Sequence, residues 1–337
     1  MLKRAMALLL CLLLALFALT GCAMPNNSPP SLPTGARQTL TVYTSHPLDV
    51  YGPIIKEFEE RTGVWTTVVT GNTLDLFEQI ANESNAPVAD VIFGGGAESH
   101  EAYRAFFQNY QSPEAENVLP FFKSENNMWT PFSALPIVLV YNTKLVSAKN
   151  APTGWAQLAQ PHWQGLTAFT SPTVSASSFT AISTLMQVSA QNGWAEMEQL
   201  ASNVQGKMVE RSADITAAVA SGNFLVGIAL EEVALRYIQA GSDIAIVYPT
   251  EGTSVVPDAI SLVQNAPNAN NARLFIDFIL SRDVQQMLVN DMSRRSVRAD
   301  IKEYKGLVPL NEITVLQYDY AFSAEIREPV LAYWQGL

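Results

Sequence analysis

A chain of 337 residues, 48% of them hydrophobic, is long and apolar enough to build more than one folded lobe, which excludes a wholly disordered protein. Its 20 Lys and Arg against 31 Asp and Glu give a formal net charge of −11 with no basic run, which argues against a nucleic-acid partner. Both cysteines, Cys11 and Cys22, fall in the first 22 residues, so the remainder has no disulfide, thiolate metal site or cysteine nucleophile.

Residues 1–22 read as an export leader. Lys3 and Arg4 make its charged start and residues 7–19 its apolar stretch. Leu19-Thr20-Gly21-Cys22 matches the bacterial lipobox, in which Cys22 is lipidated and becomes the first mature residue. The alternative is an uncleaved anchor helix, but the apolar stretch falls short of the ~20 residues of a membrane span. Residues 23–37, rich in Pro, Ser and Asn, read as a flexible tether between lipid and fold.

The folded chain opens on residues 40–64, LTVYTSHPLDVYGPIIKEFEERTGV. Leu40 and Val42 alternate as in a strand, Thr44-Ser45-His46-Pro47 breaks the pattern, and Val50, Ile54, Ile55 and Phe58 then recur at helical spacing up to Gly63. A strand near 65–69, a helix carrying Leu74, Phe77 and Ile80, and a buried strand at 87–93 ending in Gly94-Gly95-Gly96 complete a β-α-β-α-β pattern. The run 131–142, PFSALPIVLVYN, is read as a strand that leaves this first lobe. A second α/β region follows, with strand 166–169, loop 170–178, helices at 179–188, 194–200 and 214–220, and strands at 224–230 and 244–248. Near 252–262 the chain is expected to cross back, and 271–288 and 312–334 read as helical. The expected fold is therefore α/β with two lobes, 38–135 plus 255–337 (including the C-terminal helices) and 136–254, joined by hinge strands around a ligand cleft.

In order and spacing, the segments VYTSHPLDVYGPIIKEFEERTGV, PVADVIFGGG, PIVLVYNTK, WAQL at 155–158, ADITAAVASGNFLVGIALEE and PNANNARLFIDFILSRDVQQML resemble one family. It is that of the bacterial solute-binding proteins of ATP-driven importers, with the type II fold, in the group of ferric-ion-binding proteins and their sugar-phosphate- and phosphonate-binding relatives. The resemblance covers nearly the whole chain after the leader. It implies a lipid-anchored, exported receptor, on the periplasmic side or the outer face of the cell membrane. Such a receptor is usually a monomer, hands a small anionic solute to an ABC permease, and needs no cofactor.

Candidate ligand groups follow along the chain. Ser45 and His46, in the first strand-to-helix loop, can donate to an anion, with plain turn chemistry as the alternative. Gly95, within Gly94–Gly96, permits close backbone approach, though the run lacks the GxGxxG spacing of a dinucleotide site. The loop 170–178, TSPTVSASS, sets six hydroxyls before an apolar helix, among them Thr173, Ser175, Ser177 and Ser178. Hydroxyls and free N–H groups at a helix start form an anion site or, more simply, an N-cap. The resemblance places an anion in this loop.

Glu231 and Glu232 stand where the ferric-binding branch carries adjacent tyrosines, a departure that speaks against iron held in the usual way. Glu231 and Asp214 are read as acceptors for hydroxyls or an amine, and Arg295, from Ser293-Arg294-Arg295-Ser296-Val297-Arg298, as a phosphate clamp. The leading reading is a receptor for a sugar phosphate or phosphonate, without covalent chemistry. The alternative is a ferric receptor using His46, Glu231 and Glu232 with a synergistic anion. A third reading, a lipid-anchored phosphate-ester hydrolase, lacks both HExxH around His100 and a GxSxG elbow.

Overall fold

The computed structural model describes residues 38–304 and 306–337. The leader, the lipobox Cys22 and the tether lie outside the described residues. No helix among the described residues is long and apolar enough to cross a membrane.

β1 (Thr39–Thr44) runs parallel to β2 (Trp65–Thr70) and β3 (Val91–Gly96), with α1 (Leu48–Thr62) and α2 (Thr73–Asn82) as the connecting helices. α1 buries Val50, Ile54, Ile55 and Phe58, as their spacing predicts, and ends where Gly63 turns left-handed and donates its N–H to the Glu59 carbonyl. Asp90, fully buried before β3, accepts from the Thr41 N–H at 2.7 Å and the Asn268 N–H at 2.6 Å. That pairing makes the burial of a carboxylate tolerable. α3 (Ala97–Ala102) and the short β4 (Phe107–Gln108) follow.

The sheet order β2-β1-β3-β9-β5-β7-β6, in which β6 is Thr167–Ala168 and β7 is Val226–Leu230, is organised by two buried strands, β5 (Thr130–Asn142) and β9 (Val255–Val263). From Thr130 to Pro136, β5 pairs antiparallel with β9. From Ile137 onward it pairs with β7 (Val226–Leu230) and β8 (Ile244–Val247), and β7 in turn pairs with β6 (Thr167–Ala168). One strand thus serves two sheet halves and is covered on both faces. This is why 131–142 reads as an unbroken apolar run instead of an alternation.

Helices α4 (Trp155–Leu158), α5 (Ala176–Val188), α6 (Gly193–Val204), α7 (Ile215–Ala220) and α8 (Glu231–Gln239) clothe the second half. α5 begins three residues earlier than its apolar pattern indicates, so Ser177 and Ser178 lie within its first turn. After β9 come α9 (Ala269–Leu280), α10 (Arg282–Asp291), the two-residue β10 (Arg295–Ser296) and α11 (Tyr320–Gln335). The helical stretch expected at 271–288 is divided at Ser281, whose ψ of 151° is extended.

Two aromatic-rich cores result. One gathers Phe58, Phe77, Phe93 and Phe275 under α1, α2 and α9, and the other gathers Phe169, Phe179, Ile182, Met197 and Leu200. α11 lies against both α3 of the first half and α5 of the second. Its Ile326, Val330 and Trp334, four residues apart, lie in the second core, where the Trp334 ring stands 5.5 Å from Phe169. A stripe at that spacing is buried wherever a matching apolar surface is free, and here α5 and α6 supply it.

Candidate functional site

A cleft of about 600 Å³ opens between the two halves. Residues from the N-terminal ends of four helices border it: Pro47 of α1, Asn72 and Thr73 of α2, Ser175 to Ser178 of α5 and Glu232 of α8. Helix N-termini carry partial positive charge and free N–H groups, so an acidic chain can still present a locally anion-attracting surface. A second groove of about 510 Å³, beside residues 110–131, holds none of the candidate residues.

On the first wall, the Thr44 hydroxyl donates to the Phe93 carbonyl at 2.6 Å and accepts from the His46 N–H at 3.1 Å, fixing the turn that carries Ser45. His46 is 7% exposed and lies edge-on to Phe93, with ring centroids 4.6 Å apart. Gly94 has φ +118°, and a Cβ there would come within 2.9 Å of the Ser45 hydroxyl. Only glycine allows β3 to approach this turn so closely.

On the second wall, Ser175 caps α5 by accepting from the Ser178 N–H at 3.3 Å, and its hydroxyl lies 3.2 Å from that of Ser177. Thr170, fully buried, faces the cleft with a hydroxyl that has no partner. No acidic residue occupies the first turn of α5.

The floor is ionic. Arg294 donates to Asp258 at 3.0 Å, to the Ser133 hydroxyl at 3.1 Å and to Glu232 at 3.1 Å. Arg236 approaches Glu232 at 3.3 Å and pairs with Asp49 at 2.6 Å across the cleft mouth. The Nε2 of His46 lies 3.1 Å from Asp258 but lacks hydrogen-bond geometry. Burial, reinforced by Arg294, holds the His46 pKa well below the usual histidine range, so its imidazole is neutral. Burial also pushes the Asp258 carboxyl up to about 7, against the opposing pull of Arg294.

The pattern for bacterial extracellular solute-binding proteins matches residues 86–322. The chain belongs to that family. This solute-binding protein is 24% identical over 286 residues to a putative 2-aminoethylphosphonate-binding periplasmic protein of Salmonella paratyphi A, covering 80% of this chain and 82% of the relative. It is 23% identical over 310 residues to iron uptake protein A1 of Synechocystis sp., covering 87% and 85%. Its fold is that of the periplasmic binding protein AfuA of Actinobacillus pleuropneumoniae, solved with exogenous fructose-6-phosphate bound. The TM-score is 0.81 at 22% identity, over 89% of this chain and 98% of AfuA. The two-lobed type II architecture expected from the sequence is therefore the one observed.

Of the candidate residues, Ser45, His46, Gly95, Ser175, Ser177 and Ser178 border the cleft of the solute-binding protein, as does Glu232. Four candidates do not. Thr173 turns back to bond the Ser171 hydroxyl at 2.8 Å. Asp214 stands behind the cleft residue Arg211, holding its guanidinium at 2.8 and 3.0 Å. Glu231 and Arg295, each 1% exposed, bond one another at 2.7 and 2.8 Å, and Arg295 also reaches Glu303 and the Val308 carbonyl. Their neighbours Glu232 and Arg294 take the cleft instead. Successive residues of a strand face opposite ways, and successive helix residues are turned by about 100°, so each adjacent pair splits between core and cleft. Asp258, Asn72, Thr73 and Arg236 went unnoticed in the sequence. Only Asp258 left a signal there, as an acid inside the apolar strand VVPDAISLV.

One further acid tightens the same walls. Glu98, 5% exposed on α3, meets the hydroxyl of the cleft residue Thr180, and its other oxygen has no partner. Burial raises its pKa. An acid whose folded pKa is raised contributes stability that is complete below its unfolded pKa and is lost as pH rises through the folded one. For Asp258 that window runs from 3.8 to about 7. Chemical denaturation is therefore expected to show stability declining across it, and Glu98→Gln, which keeps the shape without the charge, to show a shallower decline. An unchanged slope in the variant refutes the assignment to Glu98.

Proposed function

We propose that this solute-binding protein is the receptor of an ABC importer for a small phosphorylated solute, a sugar phosphate or a phosphonate. The receptor is tethered through lipid on Cys22 and delivers its ligand to a permease in the membrane. The observation that carries the reading is the open N-terminus of α5, with no acid in its first turn and the unpartnered Thr170 hydroxyl beside it, facing Ser45 and His46 across the cleft. A phosphate there accepts from N–H groups and hydroxyls, and the rest of the solute meets Glu232, Asp258 and the apolar side chains Ile137, Phe169 and Val256. The lobes in this reading are 38–135 with 255–304, and 136–254 with α11. Ligand contacts made to both favour the closed arrangement, because a ligand shifts an equilibrium only by its differential affinity.

The relative named for iron uptake keeps a ferric reading in view, with His46 and Glu232 as ligands beside a bound anion. Arg294 weighs against it by neutralising the acids that reading needs.

The test is a thermal-shift screen of residues 23–337 with sugar phosphates, 2-aminoethylphosphonate, inorganic phosphate and ferric citrate. A ligand at 100 times its Kd stabilises by ~2.7 kcal/mol, or about 4 °C for a fold of this size. A shift with an organophosphate and none with iron is the expected result. A shift with ferric citrate alone overturns it.

A further inference from the structure

The floor of the cleft brings together residue types that bind metals, His46, Asp258 and Glu232, yet a guanidinium stands among them. We propose that Arg294 is a specificity-determining residue, an internal cation that fills the place between Asp258 and Glu232 where a metal ion would otherwise be held. The inference deepens the phosphorylated-solute reading by naming what keeps metal cations out of the same cleft.

Three observations carry it. Arg294 is 4% exposed and pinned by Asp258, Ser133 and Glu232, so it is part of the built floor and not a mobile surface arginine. Its guanidinium pairs with both Asp258 and Glu232, so a cation entering between these two carboxylates has to displace it. The His46 Nε2 is buried without a hydrogen-bond partner, 3.1 Å from the same Asp258 oxygen. One imidazole and two carboxylates suit cobalt, zinc or iron. The donor types for a metal are therefore present, and Arg294 stands between the two acids among them. Among the described residues no group of three or more His, Cys, Asp or Glu is arranged to hold a metal ion.

The experiment titrates cobalt(II) into the full chain and reads the visible spectrum of the bound ion. The expected result is no uptake by the wild-type protein and binding of one cobalt by R294A and R294Q at least ~100-fold tighter. Adding H46A to either variant removes that binding. If a variant loses its fold, its melting is followed with and without cobalt, and folding restored by the ion supports the proposal equally. Wild-type uptake as tight as the variants' overturns it. So does failure of both variants to bind or to be rescued. A protein that excludes cobalt through Arg294 and yet shifts with no phosphorylated solute leaves this role standing and removes only the phosphorylated-solute reading.

Discussion

Arg295→Met is expected to destabilise the fold by about 3–5 kcal/mol while leaving solute affinity within ~2-fold of wild type. Arg295 and Glu231 are each 1% exposed, so water screens neither charge. Among the described residues, removing the guanidinium leaves Glu231 with only the Tyr248 hydroxyl, 2.5 Å away, and frees the Val308 carbonyl. A buried carboxylate stripped of its cation is among the few lesions that reach this size. The loss should appear as a lowered urea midpoint with an unchanged slope, and as a melting temperature reduced by roughly 5–10 °C. Adding Glu231→Leu should recover much of it, because an apolar pair tolerates the site better than a lone charge. The affinity measurement separates this role from the clamp that the sequence led us to expect. A variant that stays stable and loses the solute would restore Arg295 to the cleft.

The contrast between Arg294 and Arg295 marks how far the sequence could be read. The amphipathic pattern of α1, the strand ending in Gly94–Gly96 and the hydroxyl-rich cap of α5 are local signals, written in residues within a few positions of each other. The residues these place at the cleft, Ser45, His46, Gly95, Ser175, Ser177 and Ser178, were legible for that reason. The ionic floor was not. Which of two adjacent arginines faces the cleft depends on β10 pairing with Ala134 and Ser133, a register set across more than 150 residues of chain. Which of two adjacent glutamates joins it depends on where α8 starts after β7. A slip of one residue in either would exchange core and cleft. Asp258 was visible in principle, since an acid within a strand buried at every position has to find a cation or a proton. The place of α11 was not legible for the opposite reason. Its apolar stripe identifies a buried helix face without identifying the core that buries it.

Ser177→Asp should abolish binding of the phosphorylated solute, by at least ~100-fold, and leave the fold as stable as before or slightly more so. Ser177 is the second residue of α5, half-buried at the cleft, with its hydroxyl 3.2 Å from that of Ser175. A carboxylate there faces the positive end of the helix, an arrangement worth roughly 0.3–1 kcal/mol. It also sits where the phosphate would, and two like charges 4 Å apart near a protein surface repel by about 4 kcal/mol. That is more than the ~2.7 kcal/mol which a hundredfold loss of affinity requires. Loss of affinity through general damage lowers stability along with it, so the opposite directions of the two effects are diagnostic. Titration of the solute beside a thermal melt of the free protein reads both. The ferric alternative predicts another pattern, since a tethered carboxylate could take the place of the synergistic anion and iron would still be retained. Retained iron binding in Ser177→Asp would favour a metal cargo. Lost solute binding in a protein that melts no lower than wild type would favour a phosphate held at the N-terminus of α5.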